Sequence, residues 1–249
     1  DKVFSERDKQ RYKSHQKLEY PSEDNYAPKQ KVTKYVKKIY SAPTVINLEM
    51  TEACNVKCRH CYNPWREEHA GKFNLDNKKI DYLINEFVEN KVFHVILSGG
   101  EPLSKFNELC YALEKLVSNN ISVSLNSNLM LATPEKMNKL REIGLDHALT
   151  SWFSYFEKET DFITVYKGSY QKIIEGIKTT VKAGIRVSAN TIVTQHNKNT
   201  IYNSGKLLHS LGVTQFFAHR VIPPAYDRSD KKKQHYVTIK EAKKSLDEL

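Results

Sequence analysis

Three of the four cysteines fall within eight positions of one another, in "EACNVKCRHCYNPW" over residues 52–65, with the spacing C-x3-C-x2-C. Thiolates are soft ligands, so Cys54, Cys58 and Cys61 together point to metal binding or redox chemistry. A structural zinc site takes four protein ligands, commonly as two close pairs. The chain has no second pair of cysteines, so a zinc site would draw its fourth ligand from His60 or His69. Cubane iron–sulfur clusters are held by thiolates, usually one per iron, and three thiolates leave one iron open to another ligand. The spacing alone admits both. Cys110 stands apart in "FNELCYALEKLV", on the apolar side of a helical pattern, where a packing role is the ordinary reading.

Other residues with chemical potential sit where apolar runs end. "LSGGEP" places Gly99, Gly100, Glu101 and Pro102 together. Paired glycines let backbone approach a ligand closely, and a carboxylate can accept from a cationic amino group. An ordinary glycine turn would read the same. "SLNSN" offers Asn126, Ser127 and Asn128 as partners for hydroxyl groups, although polar residues also end strands for local reasons. "LTSWF" puts Ser151 beside Trp152 and Phe153, an aromatic pair that suits either core packing or a pocket wall. "AHRV" adds His219 and Arg220.

The elements that must position these residues are legible from periodicity. "TVINLEM", "VFHVILS", "ISVSLNS", "HALTSW", "RVSANTIV" and "TQFFAHRV" are short, β-branched or aromatic runs bounded by turn residues, which predicts six strands. Helical patterns fill the intervals at about 76–90, 105–119, 134–143, 170–183 and 198–211. Thr133 before Pro134 has N-cap chemistry, and Gly144 and Gly184 mark helix ends. Strands alternating with helices demand parallel pairing through right-handed crossovers, so the fold class is α/β. An open doubly wound sheet and a partial barrel both satisfy this pattern. In either, ligands gather at the C-terminal ends of the strands, and the cysteine loop directly follows the first.

The 249 residues suit one large domain or two small ones, with a substantial core. No apolar run has membrane-spanning length and no secretory signal opens the chain, which predicts a soluble, cytoplasmic protein with no membrane partner. Lys and Arg outnumber Asp and Glu by 39 to 29, giving +10 and favouring anionic partners. Much of the excess lies in the first forty residues and in "DRSDKKKQHY", ordinarily a solvated surface. Nucleic acid is not favoured, since only "KYVKKIY" interleaves aromatics with positive charge.

C-x3-C-x2-C with His60, an aromatic-type residue, just before the last cysteine resembles the signature loop of the radical S-adenosylmethionine enzymes. "GGEP" one βα unit later resembles that family's second motif. The resemblance implies a partial (β/α)6 TIM-like barrel with a parallel sheet. It also implies a [4Fe–4S] cluster on Cys54, Cys58 and Cys61 whose fourth iron chelates S-adenosylmethionine. An electron from the cluster then yields a 5′-deoxyadenosyl radical that abstracts a substrate hydrogen, the electron coming from a donor such as a flavodoxin or ferredoxin. His60, Gly99, Gly100, Glu101 and Pro102 become cofactor contacts on this match. Asn126, Ser127 and Asn128 occupy the place of a Thr-Asn-Gly turn near the ribose, with Leu129 following where a glycine is usual. Ser151 matches the serine of a Ser-Leu-Asp-Gly segment.

"KGSYQKIIEGIKTTVKAGIRVSANTIV" resembles the branch that includes peptide-modifying enzymes and sulfatase maturases, adding Asn190 and, from "HRVIPPAY", Arg220 as cofactor contacts. That branch implies a peptide or protein substrate. Tetrapyrrole synthesis, nucleic-acid modification and a non-enzymatic zinc module are the alternatives. The implied division is a basic extension over 1–43, a core over 44–225, and a linker and helix over 226–249. Members of the branch carry a SPASM or twitch extension with auxiliary clusters, and no cysteine follows Cys110, so that part is absent or not included in this sequence.

Overall fold

The computed structural model describes residues 42–61, 73–220 and 235–247. The basic N-terminal extension, His69 and most of the "DRSDKKKQHY" run lie outside these residues. The elements all belong to the compact unit Pro43–Leu249. They run β1 (Val45–Glu49), α1 (Asn77–Glu89), β2 (His94–Ser98), a 3₁₀ turn (Pro102–Lys105), α2 (Phe106–Ser118), β3 (Ser122–Ser127) and α3 (Pro134–Ile143). There follow β4 (His147–Trp152), α4 (Glu157–Thr164), α5 (Ser169–Lys182), β5 (Arg186–Val193), α6 (Ile201–Ser210), β6 (Gln215–Arg220) and α7 (Ile239–Leu246).

The six strands form one sheet in the order β1-β2-β3-β4-β5-β6, and every neighbouring pair is parallel. A doubly wound sheet must reverse its strand order at a switch point, and this one never does. Consecutive order with right-handed crossovers keeps the helices on one face and curves the sheet into a partial barrel.

Residue parity divides the two faces. The outward set, including Leu48, Val95, Leu97, Val123, Leu125, Ala148, Val187 and Ala189, joins Ile80, Leu113, Met137 and Ile177 of the helices in one apolar core. The inward set is largely polar. His94 Nε2 meets Ser124 Oγ at 3.0 Å, His147 Nε2 meets Ser188 Oγ at 2.9 Å, and Ser188 donates to Gln215 Oε1 at 3.1 Å. Burial pushes the His147 imidazole pKa down, with the charges of Arg186 and His94 adding to it.

Local signals set the helix ends as expected. Thr133 accepts from Lys136 N at 3.3 Å, and Gly144 caps α3 with φ +124°. In α5 the C-cap is Ala183, with Gly184 one position beyond at φ +78°. Cys110 is half-buried on α2 and packs against the core. No helix among the described residues is long and apolar enough to cross a membrane.

Candidate functional site

All six strands contribute to one cavity of about 480 Å³ at their C-terminal ends, among them Asn47, Ser98, Asn126, Ser151, Asn190 and His219. Cys54, Cys58 and Cys61 line it from the loop after β1, and all three are half-buried and outside any disulfide.

That loop is locked at three places. Its base is a two-way exchange with the returning chain: Thr51 bridges Asn74, and Glu52 N donates to Phe73 O at 3.1 Å. On one side the "GG" turn closes on it, since Gly100 N donates to Thr51 O at 2.6 Å and Glu101 N to Ala53 O at 2.8 Å. A Cβ at Gly99 would stand 2.6 Å from Thr51 O, and one at Gly100 would stand 2.1 Å from Ala53 O. Gly99 also holds φ +138°. The glycines are therefore needed for the approach of one protein strand-end to another. On the third side lies α4, whose last carbonyls have no intrahelical partner. Arg59 Nε donates to Phe162 O at 2.8 Å, Arg59 N to Ile163 O at 2.9 Å, and Lys57 N to Thr164 O at 3.1 Å.

Glu101 is fully buried, and its carboxylate is committed to other parts of the protein. It accepts from Leu103 N at 3.0 Å, Ser127 Oγ at 2.7 Å and Asn128 N at 2.9 Å. Burial pushes its pKa up, while these donors favour the charged form. Asn128 Nδ2 then donates to Asn55 Oδ1 at 2.8 Å, and Cys54 Sγ lies 3.7 Å from the same oxygen. One hydrogen-bonded path thus joins the turn after β2, the turn after β3 and the first cysteine.

The sequence-expected residues are distributed unevenly about the cavity. His60, Gly99, Asn126, Ser127, Asn128, Ser151, Asn190, His219 and Arg220 line it with the three cysteines. Gly100, Glu101 and Pro102 do not: Gly100 packs on Ala53, Glu101 is a strut, and Pro102 is buried at the start of the 3₁₀ turn. The aromatic pair separates. Trp152 is 2% exposed with its ring 5.7 Å from Tyr170, whereas Phe153 lines the cavity with its ring 5.8 Å from that of His60.

Asn47, Tyr236 and Asn197 carry no site expectation from the sequence, whereas Phe153 takes the pocket-wall place that the aromatic pair suggested. Asn47 accepts from Ser98 Oγ at 2.5 Å, and a lone polar residue inside "TVINLEM" was the available signal. Asn197 is 1% exposed and donates to Phe153 O at 2.6 Å and Ile192 O at 2.9 Å, tying the ends of β4 and β5.

The donor set suits a cubane with one open iron and an organic ligand beside it. Three thiols outside any disulfide line the cavity. On the same cavity, Asn190 Oδ1 is buried with no partner among the described residues, and Ser151 pairs with Asn190 in register. A buried acceptor left open in a cavity is a place for a ligand donor. About 480 Å³ lies within the range of roughly 300–1,000 Å³ usual for small-molecule sites. Among the described residues no three His, Cys, Asp or Glu side chains, the three cysteines included, form a group that could hold a metal ion as placed, so the arrangement does not choose between zinc and a cluster.

Known proteins resemble the chain over this same region. It is 28% identical over 162 residues to a PqqA peptide cyclase of Bradyrhizobium diazoefficiens, covering 64% of this chain and 41% of the relative. It is 29% identical over 195 residues to an AdoMet-dependent heme synthase of Methanosarcina barkeri, covering 76% and 54%. The chain thus spans about half the length, or less, of these relatives. Among solved structures, Streptococcus suis SuiB bound to S-adenosylmethionine shares the fold with a TM-score of 0.68 at 15% identity, over 83% of this chain and 47% of that one. The structure described as anSMEcpe with bound AdoMet gives 0.68 at 15% identity, over 82% and 58%. A family model described as the radical SAM superfamily matches residues 48–203, and the chain belongs to that superfamily.

Proposed function

We propose that residues 44–225 are the core of an enzyme in which Cys54, Cys58 and Cys61 hold a [4Fe–4S] cluster, with S-adenosylmethionine beside it and a peptide or protein side chain as substrate. The observation that carries this reading is the convergence of three thiols outside any disulfide and residues from all six strands on one cavity. When bound, the cluster and S-adenosylmethionine supply a 5′-deoxyadenosyl radical that takes a hydrogen atom from the substrate.

The chain's own residues bind, orient and exclude. Asn126, Ser151 and Asn190 offer hydrogen-bonding groups to a ligand's hydroxyls along three adjacent strand ends. His60 and Phe153 form an aromatic wall beside the cysteines, which keeps water from a reactive intermediate. Glu101 holds the turns in place and touches no ligand from its buried position. Electrons would come from a flavodoxin or ferredoxin.

The peptide class is supported by the peptide cyclase relatives and by SuiB, whose structure is described with a precursor peptide. A tetrapyrrole is the second reading, favoured by the heme synthase relatives, which match at the same level of identity.

Anaerobic reconstitution with iron and sulfide, followed by dithionite and S-adenosylmethionine, tests the core claim. Brown protein carrying about four irons per chain and releasing 5′-deoxyadenosine is expected, with Cys58→Ala abolishing both. Colourless wild-type protein that binds one zinc and releases no 5′-deoxyadenosine would sink it.

A further inference from the structure

The barrel does not close its cavity alone. Tyr236, from the segment after β6, joins the lining, while its neighbours His235 and Val237 are buried at 7% and 4% exposure. Val237 packs with Val193, Ile201 and Ala242 in a separate small core. Gln195 fixes the backbone on both sides, its N–H donating to His235 O at 3.1 Å and its Nε2 to Tyr236 O at 3.0 Å.

A line of tilted rings in contact reaches from this segment to the cysteine loop. His235 Nδ1 meets His196 Nε2 at 2.9 Å, the His196 ring lies 5.0 Å from that of Phe162, and the Arg59 guanidinium lies 4.1 Å over the Phe162 ring. Arg59 sits between Cys58 and Cys61 in sequence. The position of Tyr236 is therefore set relative to the thiols by side-chain contacts, without reference to the length of chain after β6.

We infer that Tyr236 is a specificity-determining residue whose ring, with that of Phe153, sets the size of molecule that reaches the three cysteines. This rests on reading the cavity as the seat of the chemistry, but its test needs no cluster. The metal-free full chain is treated with iodoacetamide or with a bulky fluorescein maleimide, and the modification rate of each cysteine is read by peptide mass spectrometry. Cys110, far along the fold on α2, is the internal control.

Tyr236→Ala should raise the bulky-to-small rate ratio at Cys54, Cys58 and Cys61 by about tenfold, a barrier change near 1.4 kcal/mol. The ratio at Cys110 should stay fixed, and Tyr236→Phe, which keeps the ring, should match wild type. An unchanged ratio in Tyr236→Ala, or an equal rise in Tyr236→Phe, overturns the inference. If Tyr236→Ala speeds Cys110 as well, the fold has loosened, and the same ratio in Tyr236→Leu decides. Failure of wild-type protein to make 5′-deoxyadenosine would strike the functional reading alone, whereas a flat ratio strikes only the role of Tyr236.

Discussion

Arg59 holds Phe162 twice, by a 2.8 Å hydrogen bond from Nε to the backbone carbonyl and by a guanidinium 4.1 Å above the ring. The cysteine loop thereby serves as the C-terminal cap of α4. Arg59→Lys should not rescue Arg59→Ala, because an ammonium cannot stack as a plane while donating sideways. Both variants should lose about 1–2 kcal/mol in denaturant unfolding, the sum of one hydrogen bond and one partly exposed cation–π contact. Iron retained per chain after reconstitution should fall with them.

Gly176 lies inside α5, where alanine ordinarily adds about 1 kcal/mol of helix stability. Here a Cβ would stand 2.0 Å from the carbonyl oxygen of Leu129. Gly176→Ala should instead destabilise the protein by several kcal/mol, as overpacking against backbone does, with a clear drop in melting temperature. Equal or greater stability would show that the turn after β3 can move away freely.

Glu101→Gln keeps the shape and replaces one acceptor oxygen by an NH2 group. Both oxygens of Glu101 face donors, so one donor must then oppose another. A cost of about 1–3 kcal/mol is expected, from a buried polar group left unsatisfied. Hydrogen exchange in residues 126–129 should quicken more than in β5.

His147 and His235 both have lowered pKa values, chiefly through burial, with neighbouring charges adding to the shift. Their unfolded forms take up protons near pH 6.5 while the folded forms resist, so the unfolded state binds more protons below that pH. The stability they contribute is complete above about pH 6.5 and falls as the pH drops below it. Urea unfolding between pH 5 and 8 should show this slope, reduced in His147→Gln. Glu241, held to about 2 by Lys198 and the Thr238 cap, acts in the same direction but at lower pH. It stabilises the docking of α7 above its ordinary carboxylate range, and loses that contribution only as the pH falls toward 2.

The strands and most helices were legible because their periodicity is strong. "HALTSW", "RVSANTIV" and the α3 stretch 134–143 occupy the expected residues end to end. The α4 segment "EKETDFIT" was not read as a helix, being eight residues long and rich in polar and β-branched types. It is stabilised from outside itself. Asp161 accepts from Gly168 N, Ser169 Oγ and Tyr170 N, and the cysteine loop satisfies its last carbonyls. Likewise α6 starts at Ile201 and not Lys198, because Asn197 organises a turn there by accepting from Thr194 N at 2.7 Å.

At the site, the cysteine spacing disclosed three thiols that line one cavity, but the carboxylate in "GGEP" disclosed only a polar group. Its partners Ser127 and Asn128 are 26 and 27 positions away, and a pairing at that distance has no local sequence signal. Leu129 is similar. The missing glycine was visible, yet Leu129 adopts φ +57° while fully buried, and the space for it comes from Gly176 on a different helix.

The parity of the strands has an evolutionary reading. Odd and even positions answer to different demands: one set packs in the core, and the other faces the cavity. Mutations on the inner set can explore new substrates while the outer set preserves the scaffold. A scaffold built this way can vary one residue in two along each strand without disturbing its core.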